Sequence, residues 1–269
     1  MNQNFTWYAV ILIIMVLYYY AKQTERFDMK PPVAQQNPYN TILHGQERVD
    51  NYHWVRLTDE QKLAKKQDEQ TVQVVDYIKK ENDYTQAQLK HTNNLQKKLY
   101  NEIVGRIKKD DVSVPFLYNG YWYYTRYEKG GEYPIYCRKK ESLQNPEEVM
   151  INVNDWAEGY DYFSLTNLSV SPNNKFLAFG VDTLSRRVYT IKVKDLQTGE
   201  LLMDEIHGTE DAVAWANDNA TFFYTVKNEI TLLSEHVDRH KLGTLQTDDV
   251  RVYTEKDDSF YIGVFRSKS

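Results

Sequence analysis

Residues 119–140 read NGYWYYTRYEKGGEYPIYCRKK. Two runs rich in Tyr, Trp and Ile flank Gly130-Gly131. Such side chains suit a half-buried pleated surface, and glycine at a hairpin turn supplies positive φ without strain. The stretch is therefore read as two strands joined at Gly130-Gly131.

Outward from this hairpin the β character persists. After about Asp110 the chain alternates short apolar runs with turn chemistry at Asn119-Gly120, Pro172-Asn173-Asn174 and Asp218-Asn219. VSPNNKFLAF from Val170 and VAWANDNATFFY from Val213 repeat one pattern of strand, polar turn and strand. Their starts lie 43 residues apart (170 to 213), the usual period of a propeller blade. Val188 to Val193 reads as a third strand, and Asp195 to Gly199 as a tight turn into a fourth. Four meandering strands make one blade. Blade one is expected over residues 111–153, blade two over 163–206 and blade three over 210–246, with Val250 beginning a fourth.

The front of the chain differs. Residues 30–40 hold three prolines and read as an extended linker. Thr58 and Asp59 are helix-start candidates. Residues 68–89 carry Val72, Val75 and Ile78 at helical spacing, and Leu95, Leu99 and Ile103 mark a second helix with one buried stripe. The expected fold class is mainly β with an N-terminal α-helical segment and a partial propeller of about three to four blades. The expected domains are a hydrophobic leader over 1–28, an extended and helical segment over 29–110 and the partial β-propeller over 111–269.

Composition excludes some function classes. The formal net charge of −5 argues against nucleic acid as a partner, since phosphate binding needs a basic face. The chain has one cysteine, Cys137, so it can form no internal disulfide and no Cys-pair metal site. Cys137 is read as a small packed residue in a strand.

Phe5 to Ala21 is uncharged and apolar all round. Aromatic residues stand at both ends, as at membrane interfaces. Membrane anchoring or export through residues 5–21 is one expectation. A cytoplasmic protein whose translation starts at Met29 is the other.

Several long, collinear runs resemble oligopeptidase B, a serine peptidase of the prolyl oligopeptidase family. They are HGQERVDNYHW from His44 to Trp54, the tyrosine hairpin, and EGYDYFSLTNLSVSPNNKFLAF from Glu158 to Phe179. Arg186 to Tyr189, Lys194 to Gly199, Arg239 to Thr244 and Asp248 to Val250 follow in order. The resemblance covers nearly all of residues 30–269. It implies a seven-bladed propeller that gates an α/β-hydrolase domain, against which residues 29–110 pack. It also implies cleavage of short peptides after Arg or Lys by Ser, Asp and His. Short basic peptides and a C-terminal hydrolase domain are thus the expected partners, with the membrane as a further one through residues 5–21.

The sequence contains no Gly-x-Ser-x-Gly, the turn that exposes a serine nucleophile in such hydrolases. This stretch is therefore expected to contribute no catalytic, cofactor-binding or metal-binding residue, and to be inactive alone. A membrane-tethered, non-catalytic interaction module is the alternative.

Other constellations carry structural readings. His236 and His240 lie four apart but lack the Glu of a His-Glu-x-x-His site, so a structural role is expected. His44, Asp50 and His53 are read as a hydrogen-bond cluster, with Asp50 and Trp54 fixing the chain against the hydrolase domain. Glu128 and Glu132 are read as a solvated hairpin tip, and Lys108 to Asp111 as a solvated linker.

Overall fold

The computed structural model describes residues 13–18 and 29–267, which divide into two compact units, Met1–Ile107 and Lys108–Ser269.

In the first unit, β1 (Tyr39–Leu43) and β2 (Gln46–Asp50) form an antiparallel hairpin. His44 and Gly45 both take positive φ at its two-residue turn, which matches the strand twist. Helix α1 (Asp59–Leu63) begins at a reciprocal cap: Thr58 Oγ1 accepts from the Gln61 amide while Gln61 Oε1 accepts from the Thr58 amide. Helix α2 (Glu69–Leu89) is capped by Asp68, and α3 (Asn93–Arg106) follows after one tight turn. The stripe expected to be buried on α3 is not. Leu95, Leu99 and Ile103 are 55%, 47% and 60% exposed, because nothing else among the described residues of this unit covers that face.

The apolar run 5–21 falls outside the described residues except for a helical stretch at 13–18. Among the described residues no helix is long and apolar enough to cross a membrane.

The second unit is built from β-meanders. Strands β3 (Phe116–Tyr118), β4 (Tyr121–Arg126), β5 (Ile135–Lys140) and β6 (Glu148–Asn152) pair in order as blade one. A short helix α4 (Val153–Ala157) follows. Strands β7 (Ser164–Val170), β8 (Phe176–Asp182), β9 (Tyr189–Asp195), β10 (Leu201–Trp215), β11 (Thr221–Lys227), β12 (Ser234–Lys241) and β13 (Val250–Thr254) then pair in sequence order.

Strand β10 serves two blades. From Leu201 to Ile206 it pairs with β9, and from Val213 to Trp215 with β11. Thr209 is paired on both sides, and the register shifts before and after it, next to Gly208 with φ +71°. An irregularity of this kind bends and twists a strand, so β10 leaves one blade and enters the next.

Two sequence expectations are corrected, and the turn at Gly130-Gly131 is found within a longer connection. Val250–Thr254 does not begin a fourth blade; it pairs with β12 and is the outermost strand of blade three. The connection after β4 runs over residues 127–134 and contains the expected turn, in which the Gly131 amide donates to the Glu128 carbonyl at 3.0 Å. Gly130 has the positive φ, +94°, whereas at Gly131 a Cβ would crowd the Asn154 side chain, 3.0 Å from its Oδ1. Between blades two and three the repeat is 45 residues rather than 43. The Ser171 amide donates to the Phe176 carbonyl exactly where, 45 residues on (171 to 216, 176 to 221), the Ala216 amide donates to that of Thr221.

Blade two shows why these sheets stack. On β8, Leu177, Phe179 and Val181 pack with Tyr123, Met150 and Ile151 of blade one. The alternate residue Ala178 packs with Val213, Trp215 and Phe222 of blade three. Alternate side chains point to opposite faces, so a strand apolar at successive positions must be covered on both. Gly180 completes the fit: a Cβ there would meet Asp211 Cβ at 2.9 Å and its Cα at 3.0 Å.

Candidate functional site on the inner strands and blade seams

The first strands of the three blades are β3, β7 and the second half of β10. They lie together and, with Arg266, line a cleft of about 530 Å³. Its walls are largely aromatic: Phe116, Tyr118, Tyr123, Tyr136 and Trp215 face it. Asn167 and Ser169 supply polar groups. Arg266 enters from the last described segment and donates to Asn217 Oδ1 at 2.6 Å.

The inner strands are pinned across the blade seam. Trp215 Nε1 donates to the Ser169 carbonyl at 3.0 Å, and Ser169 Oγ donates to that of Val213 at 3.2 Å. One strand's backbone polar groups are thus satisfied by the next blade's side chains, as buried groups require.

The turns that follow the inner strands form a second tier. Asn119, Asn174 and Asn219 each adopt left-handed φ, of 45°, 62° and 61°. Asparagine tolerates that region better than other non-glycine residues. Asn119 and Asn174 exchange hydrogen bonds between blades one and two, and Asn219 Oδ1 accepts from the Asn173 amide at 2.7 Å between blades two and three. Arg138, 3% exposed, adds a bond from Nη1 to the Asn174 carbonyl at 3.0 Å. It also pairs with Glu148 and lies over the Tyr121 ring at 4.1 Å. Further out, Lys194 Nζ donates to the Met150 carbonyl at 2.9 Å, and burial holds this amine below its usual range.

On the other face of blade one, Tyr124, Ile135 and Cys137 form a small core. Cys137 is fully buried, and burial pushes its thiol up to about 11, with Glu147 adding to the effect. It is a packed residue, as its strand position implied. Glu147 accepts from Tyr124 and Arg126, and these bonds outweigh burial and hold its carboxyl below the usual range.

The remaining sequence candidates separate. His53 stacks on Tyr39 at 3.9 Å and stands 3.8 Å from Asp50. His44 is at the opposite end of that hairpin, so the expected His44–Asp50–His53 cluster loses His44. Trp54 donates to the Gln35 carbonyl at 2.7 Å and packs edge-on against Tyr77, tying the extended segment to α2. Glu128 and Glu132 are exposed, and Glu128 pairs with Arg126. Lys108 to Asp111 is exposed, with Lys108 reaching Asp111 at 3.8 Å.

His236 and His240 both lie on β12, and only His240 is fully buried. Among the described residues no cluster of His, Cys, Asp and Glu is arranged to hold a metal ion. Sequence reading missed the two carboxylates bonded to His240, Asp204 and Asp249, and the Tyr224 hydroxyl that donates to Asp249. They lie on three other segments, and no local spacing links them.

Comparison with known proteins places this architecture. A family model described as the prolyl oligopeptidase N-terminal beta-propeller domain matches residues 31–269. "Dipeptidyl aminopeptidase BI" of Pseudoxanthomonas mexicana is 40% identical over 253 residues, covering 88% of this chain and 34% of the relative. "Protease 2" of Moraxella lacunata is 31% identical over 248 residues, covering 90% of this chain and 34% of the relative. Among solved structures, oligopeptidase B from Leishmania major aligns with a TM-score of 0.74 at 32% identity, over 86% of this chain and 34% of that one. The chain thus spans about a third of the length of the relatives it matches.

Proposed function

The chain belongs to the prolyl oligopeptidase family through its N-terminal β-propeller domain, and from that premise we propose that its blades restrict access to the active site of a serine peptidase acting on short peptides. The observation that carries this reading is the stacking of three collinear blades with their first strands together around one aromatic cleft. Pinned inner strands suit a filter, which must hold its aperture while the chemistry happens elsewhere.

The catalytic serine, aspartate and histidine of the whole protein belong to an α/β-hydrolase segment, and no residue of residues 1–269 takes part in acyl transfer. Residues 29–110 pack against that segment, and the uncovered Leu95, Leu99 and Ile103 stripe of α3 supports this. A stripe of that kind on a helix is a face awaiting a partner.

Two substrate preferences compete. The sequence runs shared with oligopeptidase B favour cleavage after Arg or Lys. The 40% identity to a relative named a dipeptidyl aminopeptidase favours release of dipeptides from a free amino end. Two chromogenic substrates separate them, one amino-blocked with a terminal Arg and one an unblocked dipeptide. The purified 269-residue chain is expected to turn over neither. The same blades joined to an α/β-hydrolase segment are expected to turn over one. Turnover by the 269-residue chain would overturn the assignment of chemistry to another segment.

A further inference from the structure

His240 is a fully buried imidazole between two carboxylates. Nδ1 lies 2.7 Å from Asp249 Oδ1, and Nε2 lies 2.9 Å from Asp204 Oδ1. The carboxylates are themselves 3% and 2% exposed. Asp249 Oδ2 accepts from the Tyr224 hydroxyl at 2.7 Å, and Asp204 Oδ1 also accepts from the Gly243 amide at 2.7 Å. A neutral imidazole carries one N–H. In that form one ring nitrogen would present a lone pair to a buried carboxylate oxygen, an unsatisfied contact where water cannot enter. With both carboxylates ionised, two short contacts to two acceptors call for two ring protons.

The elements involved give this triad a place in the fold. Asp204 lies on the part of β10 that is the outermost strand of blade two. His240 lies on β12, and Asp249 directly precedes β13, in the outer half of blade three. Against the imidazole lies Phe222 of β11, with its ring 5.0 Å away. Asp238, on the same strand as His240, is neutralised by Arg251 of β13. We propose that a buried His240 imidazolium clasps the outer strands of blades two and three together, and that base opens this seam by removing one ring proton.

The electrostatics have the sign the geometry requires. Burial alone would lower the imidazole pKa, but the Asp204 and Asp249 hydrogen bonds and charges outweigh it and raise the group. Burial alone would raise Asp204, but its bonds from His240 and Gly243 hold it below the usual carboxylate range. A histidine raised in the folded state contributes stability that is complete below its unfolded pKa and lost as pH rises through its folded one. The clasp therefore weakens on the alkaline side.

The test is imidazole nitrogen NMR on the intact chain, with the His240 ring assigned through its backbone, alongside amide hydrogen exchange of β12 and β13 across pH. The expected result is two protonated ring nitrogens at pH 7, then loss of one at alkaline pH with faster β12 and β13 exchange in the same interval. His240→Gln should abolish that pH-linked rise in exchange. Should the variant not fold, the wild-type measurement decides alone. A singly protonated ring at pH 7 would overturn the proposal, as would ring deprotonation that leaves β12 and β13 exchange unchanged.

Discussion

The side-chain amide of Asn119 donates to Asn174 Oδ1 at 3.2 Å, and the Asn174 amide donates back to the Asn119 carbonyl at 3.1 Å. The two residues occupy equivalent turns of blades one and two, each with left-handed φ. One residue type thus meets two demands, a strained backbone and a bond across the seam. Asn174→Ala loses both and should cost about 2 kcal/mol, from one or two hydrogen bonds plus backbone strain. Asn174→Gly keeps the backbone conformation and should cost less. Urea unfolding midpoints of the two variants check the order; alanine equal to or better than glycine would contradict it.

Phe179 is fully buried and meets Trp156 edge-on at 5.2 Å. Phe179→Ala opens a cavity between blades one and two and should cost about 3–5 kcal/mol. Gly180→Ala points the other way, into Asp211, and should destabilise the seam between blades two and three. Thermal unfolding measures both, and a wild-type midpoint for either would deny the close packing of blade two.

Cys137 should be inert in the folded chain. Its thiol is buried and pushed up to about 11, so little thiolate exists at pH 8 and reagent cannot reach it. A thiol-reactive chromophore should report almost nothing under native conditions and one thiol per chain in denaturant. Rapid native labelling would show that blade one opens.

Acid should weaken blade one through Glu147. Its carboxyl is held low by Tyr124 and Arg126 against the opposing effect of burial. A depressed carboxylate contributes stability above its unfolded pKa that is lost as pH falls through its folded one. Glu147→Gln should therefore flatten the fall in unfolding midpoint below about pH 4.5, near the unperturbed carboxylate range. An unchanged acid slope would remove Glu147 from that account.

The blades were legible because their turn chemistry and two-sided burial are local. Asn119-Gly120, Pro172 to Asn174 and Asp218-Asn219 all fall at observed turns, and FLAFGV needs two covered faces to exist at all. The repeat was misjudged by two residues because Val170 and Val213 are alike in type but not in register; Trp215 occupies the place of Val170. Val250–Thr254 was misplaced because its strand is exposed along its whole length, which leaves no burial pattern to assign it to a blade. Leu95, Leu99 and Ile103 were correctly placed on a helix, yet periodicity gives a face and not its partner. The His240 triad was invisible because Asp204 lies 36 residues away in sequence, on a different blade.

Whether the blades act as a filter is decided by a pair of kcat/KM values on these blades joined to an α/β-hydrolase segment. One substrate is a short unfolded peptide, and the other is the same cleavage sequence displayed on a loop of a large folded domain. A filter requires efficient cleavage of the peptide and essentially none of the folded substrate. Comparable values for the two would mean that the blades do not control entry.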